Sequence, residues 1–166
     1  MSKLLILVAS PQEFPRKAPN LFFTGIGKIN AAMSATRLII ENKPDLIINI
    51  GTAGSYDQSL VGLVECGIFT DRDNDFLDET IVTDSNLMIL STGDSFVTEG
   101  YGHGLVDMEA FAIAKVCEEF GVKFKCFKYV TDYVGHNSVE GWRNDAHIGL
   151  DSYLNLIRDL SEGEIS

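Results

Sequence analysis

Short apolar runs that stop abruptly at small or polar residues recur along this chain. Residues 4–9 stop at Ser10, with Glu13 just beyond. Residues 46–50 stop at Gly51, residues 87–90 lead into Ser91 and Thr92, and residues 125–130 stop at Thr131 and Asp132. The run at 4–9 is continuously apolar and short, which reads as a buried strand, and 46–50 and 125–130 read as further strands. After a short strand at 21–24 and a break at Gly25 and Gly27, residues 28–42 carry a helical period that ends at Pro44. Its inward face is expected to hold Ile29, Ala32, Met33, Thr36, Ile39 and Ile40. A strand, a helix and a strand in that order need the helix as a crossover for parallel pairing. The chain therefore reads as α/β with a mostly parallel sheet, whose strand ends meet at one edge where ligands bind. Residues 51–55 read as a turn, 63–69 as a strand and 71–84 as a surface loop or ragged strand. Helices are expected over 106–120, stopped by Gly121, and within 139–160.

The length of 166 residues suits one domain, taken as 1–166, with a substantial core. A net charge of -11 argues against nucleic acid and anionic membranes, whose phosphates it would repel, yet leaves an uncharged nucleoside open. Three cysteines, Cys66, Cys117 and Cys126, lack metal-ligand spacing, and three histidines are scattered. They fit a reducing, cytoplasmic setting with no metal and no cofactor. The apolar start is read as a first strand rather than a signal peptide, because Pro11-Gln12-Glu13 follows in place of a cleavage region.

Two acids stand out. Glu109 opens the apolar helix, and Asp132 ends an apolar strand. Burying an unpaired carboxylate is costly, so two acids at such places suggest one shared small-molecule site. Asp107 reads more simply, as an acid favoured at a helix start by the backbone dipole. Arg16 and Lys17 read as solvated surface charges.

Five segments then carry a resemblance. They are Thr24-Gly25-Ile26-Gly27-Lys28, the stretch from Lys43 to Gly54, Ser91 to Phe96, Val106-Asp107-Met108-Glu109-Ala110, and Val130-Thr131-Asp132. In this order they resemble the purine nucleoside phosphorylase and nucleosidase superfamily, and most closely its 5′-methylthioadenosine/S-adenosylhomocysteine nucleosidases. The resemblance implies a three-layer sandwich around a twisted, mostly parallel (mixed) sheet, a purine nucleoside as partner, and a homodimer. It also implies roles. Glu13 activates water, and Asp132, beside Thr131, holds the adenine amino group and delivers a proton to N7. Met108 and Glu109 lie beneath the ribose, with Thr52 and Gly54 facing the sugar. Phe96 stacks on the base and Val97 reads its edge, while Ile26 and Trp142 line the 5′ pocket.

Departures from the family are visible. The chain is shorter between about residues 65 and 86. Ser10 replaces an apolar residue, which leaves adenosine itself open as a substrate, and Ser55 replaces a glycine. Phosphorylase relatives carry an arginine where this chain has Asn49, so hydrolysis is expected. The alternatives are a phosphate-dependent phosphorylase and a nucleoside binder without turnover.

Overall fold

The computed structural model describes residues 3–76 and 78–163. Its sheet is organised around β3 (Leu46–Ser55), which is buried along nearly its whole length. β3 runs parallel to β1 (Leu4–Val8) through residues 46–49 and parallel to β8 (Lys123–Tyr133) along its entire length. The stretch at 51–55 is thus not a turn. Gly51, Thr52, Ala53 and Gly54 continue the strand, and their small side chains leave room beside it.

At Gly54 and Ser55, beyond the last pairing with β1, β3 takes an antiparallel neighbour, β7 (Leu105–Asp107). β7 pairs with β6 (Met88–Thr92), β6 with β4 (Leu63–Asp71), and β4 with β8, which returns to β3. β3, β7, β6, β4 and β8 therefore close into a barrel-like ring. β1 and then β2 (Leu21–Phe23) extend it from β3, and β5 (Thr80–Val82) extends it from β4. The α/β class and the mixed sheet agree with the sequence reading, but the twisted sheet curls closed into a barrel-like ring rather than staying the open middle layer of a sandwich. The physical cause is the pairing of β4 with β8, two segments far apart in sequence, which removes edges that an open sheet would expose.

Helices cover both faces. Alternate residues of β1 point opposite ways, as the two-residue period of a strand requires. Leu5 and Leu7 join Ile47, Phe69 and Leu90 in a core under α1 (Lys28–Asn42) and α2 (Ala110–Phe120). Ile6 and Val8 join Ile48, Ile50 and Phe127 in a second core under α4 (Leu150–Ser161), which contributes Tyr153 and Leu156. The expected helix at 106–120 starts only at Ala110, because its first residues form β7. The expected helix within 139–160 is two helices, α3 (Val139–Asp145) and α4.

The bounds of α1 match the sequence reading, but its buried face does not. Ala31, Ser34, Ala35, Leu38 and Ile39 face inward. Ile29, Met33 and Ile40 are 79%, 61% and 60% exposed. α1 packs against α2, where Ala31 and Ala35 share a core with Ala110 and Ala114. Small residues let the two helices approach closely, and the Ser34 hydroxyl donates to the Thr24 carbonyl at 3.0 Å. Packing overrode the preference for larger apolar residues, which are left on the outer face.

Candidate active site

The site forms where β1 leaves β3 and β7 joins it. Glu13 lies in the turn that follows β1, where its N–H donates to the Ser10 carbonyl at 3.0 Å. Its carboxylate is buried. Oε1 accepts from the Thr52 amide at 2.9 Å and the Thr52 hydroxyl at 2.8 Å, and Oε2 accepts from the Ser10 amide at 3.2 Å. Trp142 of α3 donates through Nε1 to the same Thr52 hydroxyl at 2.8 Å. Burial raises the Glu13 pKa above the usual carboxyl value; Lys128 and the Thr52 and Ser10 donors offset part of that rise.

Beneath Glu13 lies a charged cluster. Lys128 on β8 is fully buried, with Nζ 3.1 Å from Asp107 Oδ2. Asp107 Oδ1 accepts from the Thr92 hydroxyl at 2.5 Å, and Oδ2 accepts from the amides of Ala110 at 2.8 Å and Glu109 at 3.2 Å. Asp107 therefore caps α2, as a helix-start acid should, and also partners the buried lysine. Glu109 follows into the cavity, where Oε2 accepts from the Gly27 amide at 2.8 Å at the entry of α1.

These charges do not balance as ions. Glu13, Asp107 and Glu109 face one ammonium. Burial first, and then the charge of Asp107, push the Glu109 pKa up to about 8, with Lys128 opposing. Burial alone would depress Lys128, but Asp107 and the other acids outweigh it and raise its pKa. Burial thus raises both Glu109 and Glu13, so the cluster resists carrying three negative charges at once.

Asp132 stands just past a register shift between β3 and β8 at Ala53 and Gly54, a bulge that re-aims its side chain. A Cβ on Gly54 would lie 2.8 Å from Asp132 Oδ2, so only glycine allows this approach. Oδ1 accepts from the Thr131 hydroxyl at 2.8 Å, and Oδ2 accepts from Asn137 Nδ2 at 2.8 Å.

A cavity of about 370 Å³ joins these groups, a volume suited to a small molecule. Glu13, Thr52, Gly54, Met108, Glu109 and Asp132 line it, with Phe96 and Val97 from the loop after β6 and with Ile26 and Trp142. Thr131 is the exception: it does not line the cavity, and reaches it only through Asp132. Ser10 is also outside the lining. Its Oγ accepts from the Gln12 amide at 3.1 Å, and Ala9 faces the cavity instead. The expected polar 5′ pocket therefore has no hydroxyl from Ser10. Asn49 is buried as a cross-strand tie, donating to the Leu7 carbonyl at 3.0 Å.

Sequence reasoning missed Lys128, Arg72, Asn137 and Arg143. Arg72 lines the cavity with its guanidinium committed to the carbonyls of Ser91, Asp107 and Ser95, at 2.6, 2.9 and 2.6 Å. Arg143 lines the cavity from α3. Lys128 shares β8 with Lys123 and Lys125, so no sequence signal set it apart.

Comparison with known proteins converges on one group. Residues 4–64 match the Phosphorylase superfamily. A 5′-methylthioadenosine/S-adenosylhomocysteine nucleosidase of Lysinibacillus sphaericus is 33% identical over 71% of this chain and 70% of its own length. One from a Marinomonas species is 27% identical over 90% of this chain and 83% of its own length. In fold, the chain is similar to the Helicobacter pylori nucleosidase of the same name, with a TM-score of 0.84, 16% identity and 98% of both chains covered. Futalosine hydrolase of Helicobacter pylori gives the same TM-score at 17% identity, again with 98% of both chains covered.

The protonated cluster has a measurable consequence. Glu109 shifts from 4.5 to about 8, so between these pH values the folded chain holds a proton that the unfolded chain has released. Stability therefore falls as pH rises from about 4.5 to about 8 and then levels off. Glu13, raised by the same cause, adds to the fall. Thermal melts across this range should show the decline, and Glu109→Gln should make it shallower. A variant whose stability declines as steeply as the wild type would contradict the assignment.

Proposed function

This chain belongs to the 5′-methylthioadenosine/S-adenosylhomocysteine nucleosidase family of the phosphorylase superfamily, and from that premise we propose how its cavity works. It is an N-ribosyl hydrolase that cleaves the N-glycosidic bond of an adenine nucleoside. The observation that carries the mechanism is the convergence of Glu13, Glu109 and Asp132 on one cavity.

Cleavage leaves positive charge on the ribosyl group and negative charge on the base. Asp132, at the Phe96 and Val97 end, faces N7 and the 6-amino group and supplies the proton that lets the base leave. Glu109 binds the ribose hydroxyls above Met108. As the sugar becomes cationic, the negative charge of the carboxyl cluster around Glu109 gains a favourable partner. Glu13, made more basic by burial, takes a proton from the attacking water in its ionised form. Ala9, Ile26, Val139 and Trp142 offer an apolar setting for a 5′-methylthio group.

Water is favoured over phosphate because, apart from Arg143 on α3, the donors around the cavity that a phosphate would use are already committed. Phosphate needs free cations or helix-end amides. The amides at the start of α1 are already used, Gly27 by Glu109 and Lys28 by Asp94 at 2.7 Å. Lys128 is paired with Asp107, and Arg72 is committed to carbonyls.

The exposed Ile29, Met33 and Ile40 of α1 support a homodimer through this face. An apolar strip left exposed on a helix favours burial against a second copy. Sedimentation should give a dimer that Met33→Asp with Ile40→Asp splits into monomers; a wild-type monomer at micromolar concentration would end this reading. For the chemistry, Glu13→Gln and Asp132→Asn should each lower kcat on methylthioadenosine by about 10²-fold or more. A near-normal rate in either folded variant would remove that residue from the mechanism.

A further inference from the structure

Asn137 lies in the turn between β8 and α3 and is not among the residues that line the cavity. Its Nδ2 donates to two acceptors from distant segments, the Val97 carbonyl at 2.7 Å and Asp132 Oδ2 at 2.8 Å. Both are acceptors, so the nitrogen and not the oxygen of the amide must face them. Oδ1 of Asn137 is buried without a hydrogen-bond partner among the described residues. A buried orphan acceptor is unfavourable, and its retention marks the amide as held for what its nitrogen does.

Val97 and Asp132 both line the cavity. We infer that Asn137 is a positioning residue that sets the gap between them to the span of one –NH2 group. The inference rests on the reading above, in which Asp132 faces the 6-amino group and Val97 reads the base edge, and it places that amine between the Val97 carbonyl and Asp132 Oδ2. A side-chain amide and an exocyclic amine present the same pair of N–H donors. A carbonyl or carboxylate oxygen has a second lone pair, so each can serve Asn137 from behind and the base from the cavity. The amide thus acts as a template for the amine.

The wall that Asn137 braces is otherwise irregular. Val97 sits in the segment between β6 and β7. The Gly135 amide gives a neighbouring tie to the Thr98 carbonyl at 2.9 Å. Oδ1 of Asp132 is held separately by the Thr131 hydroxyl. Removing Asn137 therefore frees the amine-facing oxygens while leaving one oxygen of the acid supported.

The test compares kcat/KM for methylthioadenosine and for its analogue with hydrogen in place of the 6-amino group. The wild type should prefer the amine. In Asn137→Ala, kcat/KM for the amine substrate should fall by about tenfold, while the analogue changes by less than about threefold, the differential that coupling between the amide and the amine produces. Asn137→Ser is run beside it, with the same expected direction, so that the comparison stands if the alanine variant does not fold. Equal losses on both substrates would mean a structural role only and overturn the inference, as would no loss on either. A wild type with no preference for the amine would overturn the placement of the base and the inference with it.

Discussion

Lys128 carries a positive charge into the interior directly beneath a cavity walled by carboxyl groups. An ammonium in such a place is tolerated only with close partners, and Asp107 at 3.1 Å is its nearest. Removing one member of a buried pair typically costs about 3–5 kcal/mol, because the other is left uncompensated. The pair fixes more than itself. Through Asp107 it joins β8 to β7, to Thr92 at the end of β6, and to the first amides of α2. Glu109 is set two residues beyond Asp107 by that same cap, and Glu13 is held above by Thr52 of the neighbouring β3.

The charge excess of this cluster links fold to chemistry. Three acids around one base cannot all be ionised cheaply, so the resting site keeps a proton. A sugar that becomes cationic during bond cleavage changes the balance, since it supplies the positive charge the cluster lacks. On the proposed mechanism the interaction is stronger in the transition state than with the neutral nucleoside, which is the condition for catalysis rather than mere binding. The closed sheet contributes rigidity: the strands that present Glu13's partner, Asp107 and Asp132 belong to one hydrogen-bonded ring.

The sequence made the strands legible because buried strands leave short, mostly apolar runs, and the bounds of α1 because Gly27 and Pro44 flank it. It concealed the face of α1, since Ala31, Ser34 and Ala35 pack inward for their small size while Ile29 and Met33 stay outside. β7 was concealed too. Three residues carry no periodic signal, and Asp107 reads equally well as a helix start. Ring closure depends on β4 meeting β8, a non-local pairing that no local pattern encodes. The acids of the site were legible through ordered motifs shared with a family. Lys128 was not, because a lysine in a strand normally points to water, and Asn137 was hidden among ordinary turn residues.

The account stands most directly on what attacks the sugar. If Glu13 activates water as proposed, purified protein given methylthioadenosine should release free adenine and methylthioribose at the same rate with and without phosphate. Adenine release that requires phosphate and yields the sugar 1-phosphate would contradict it.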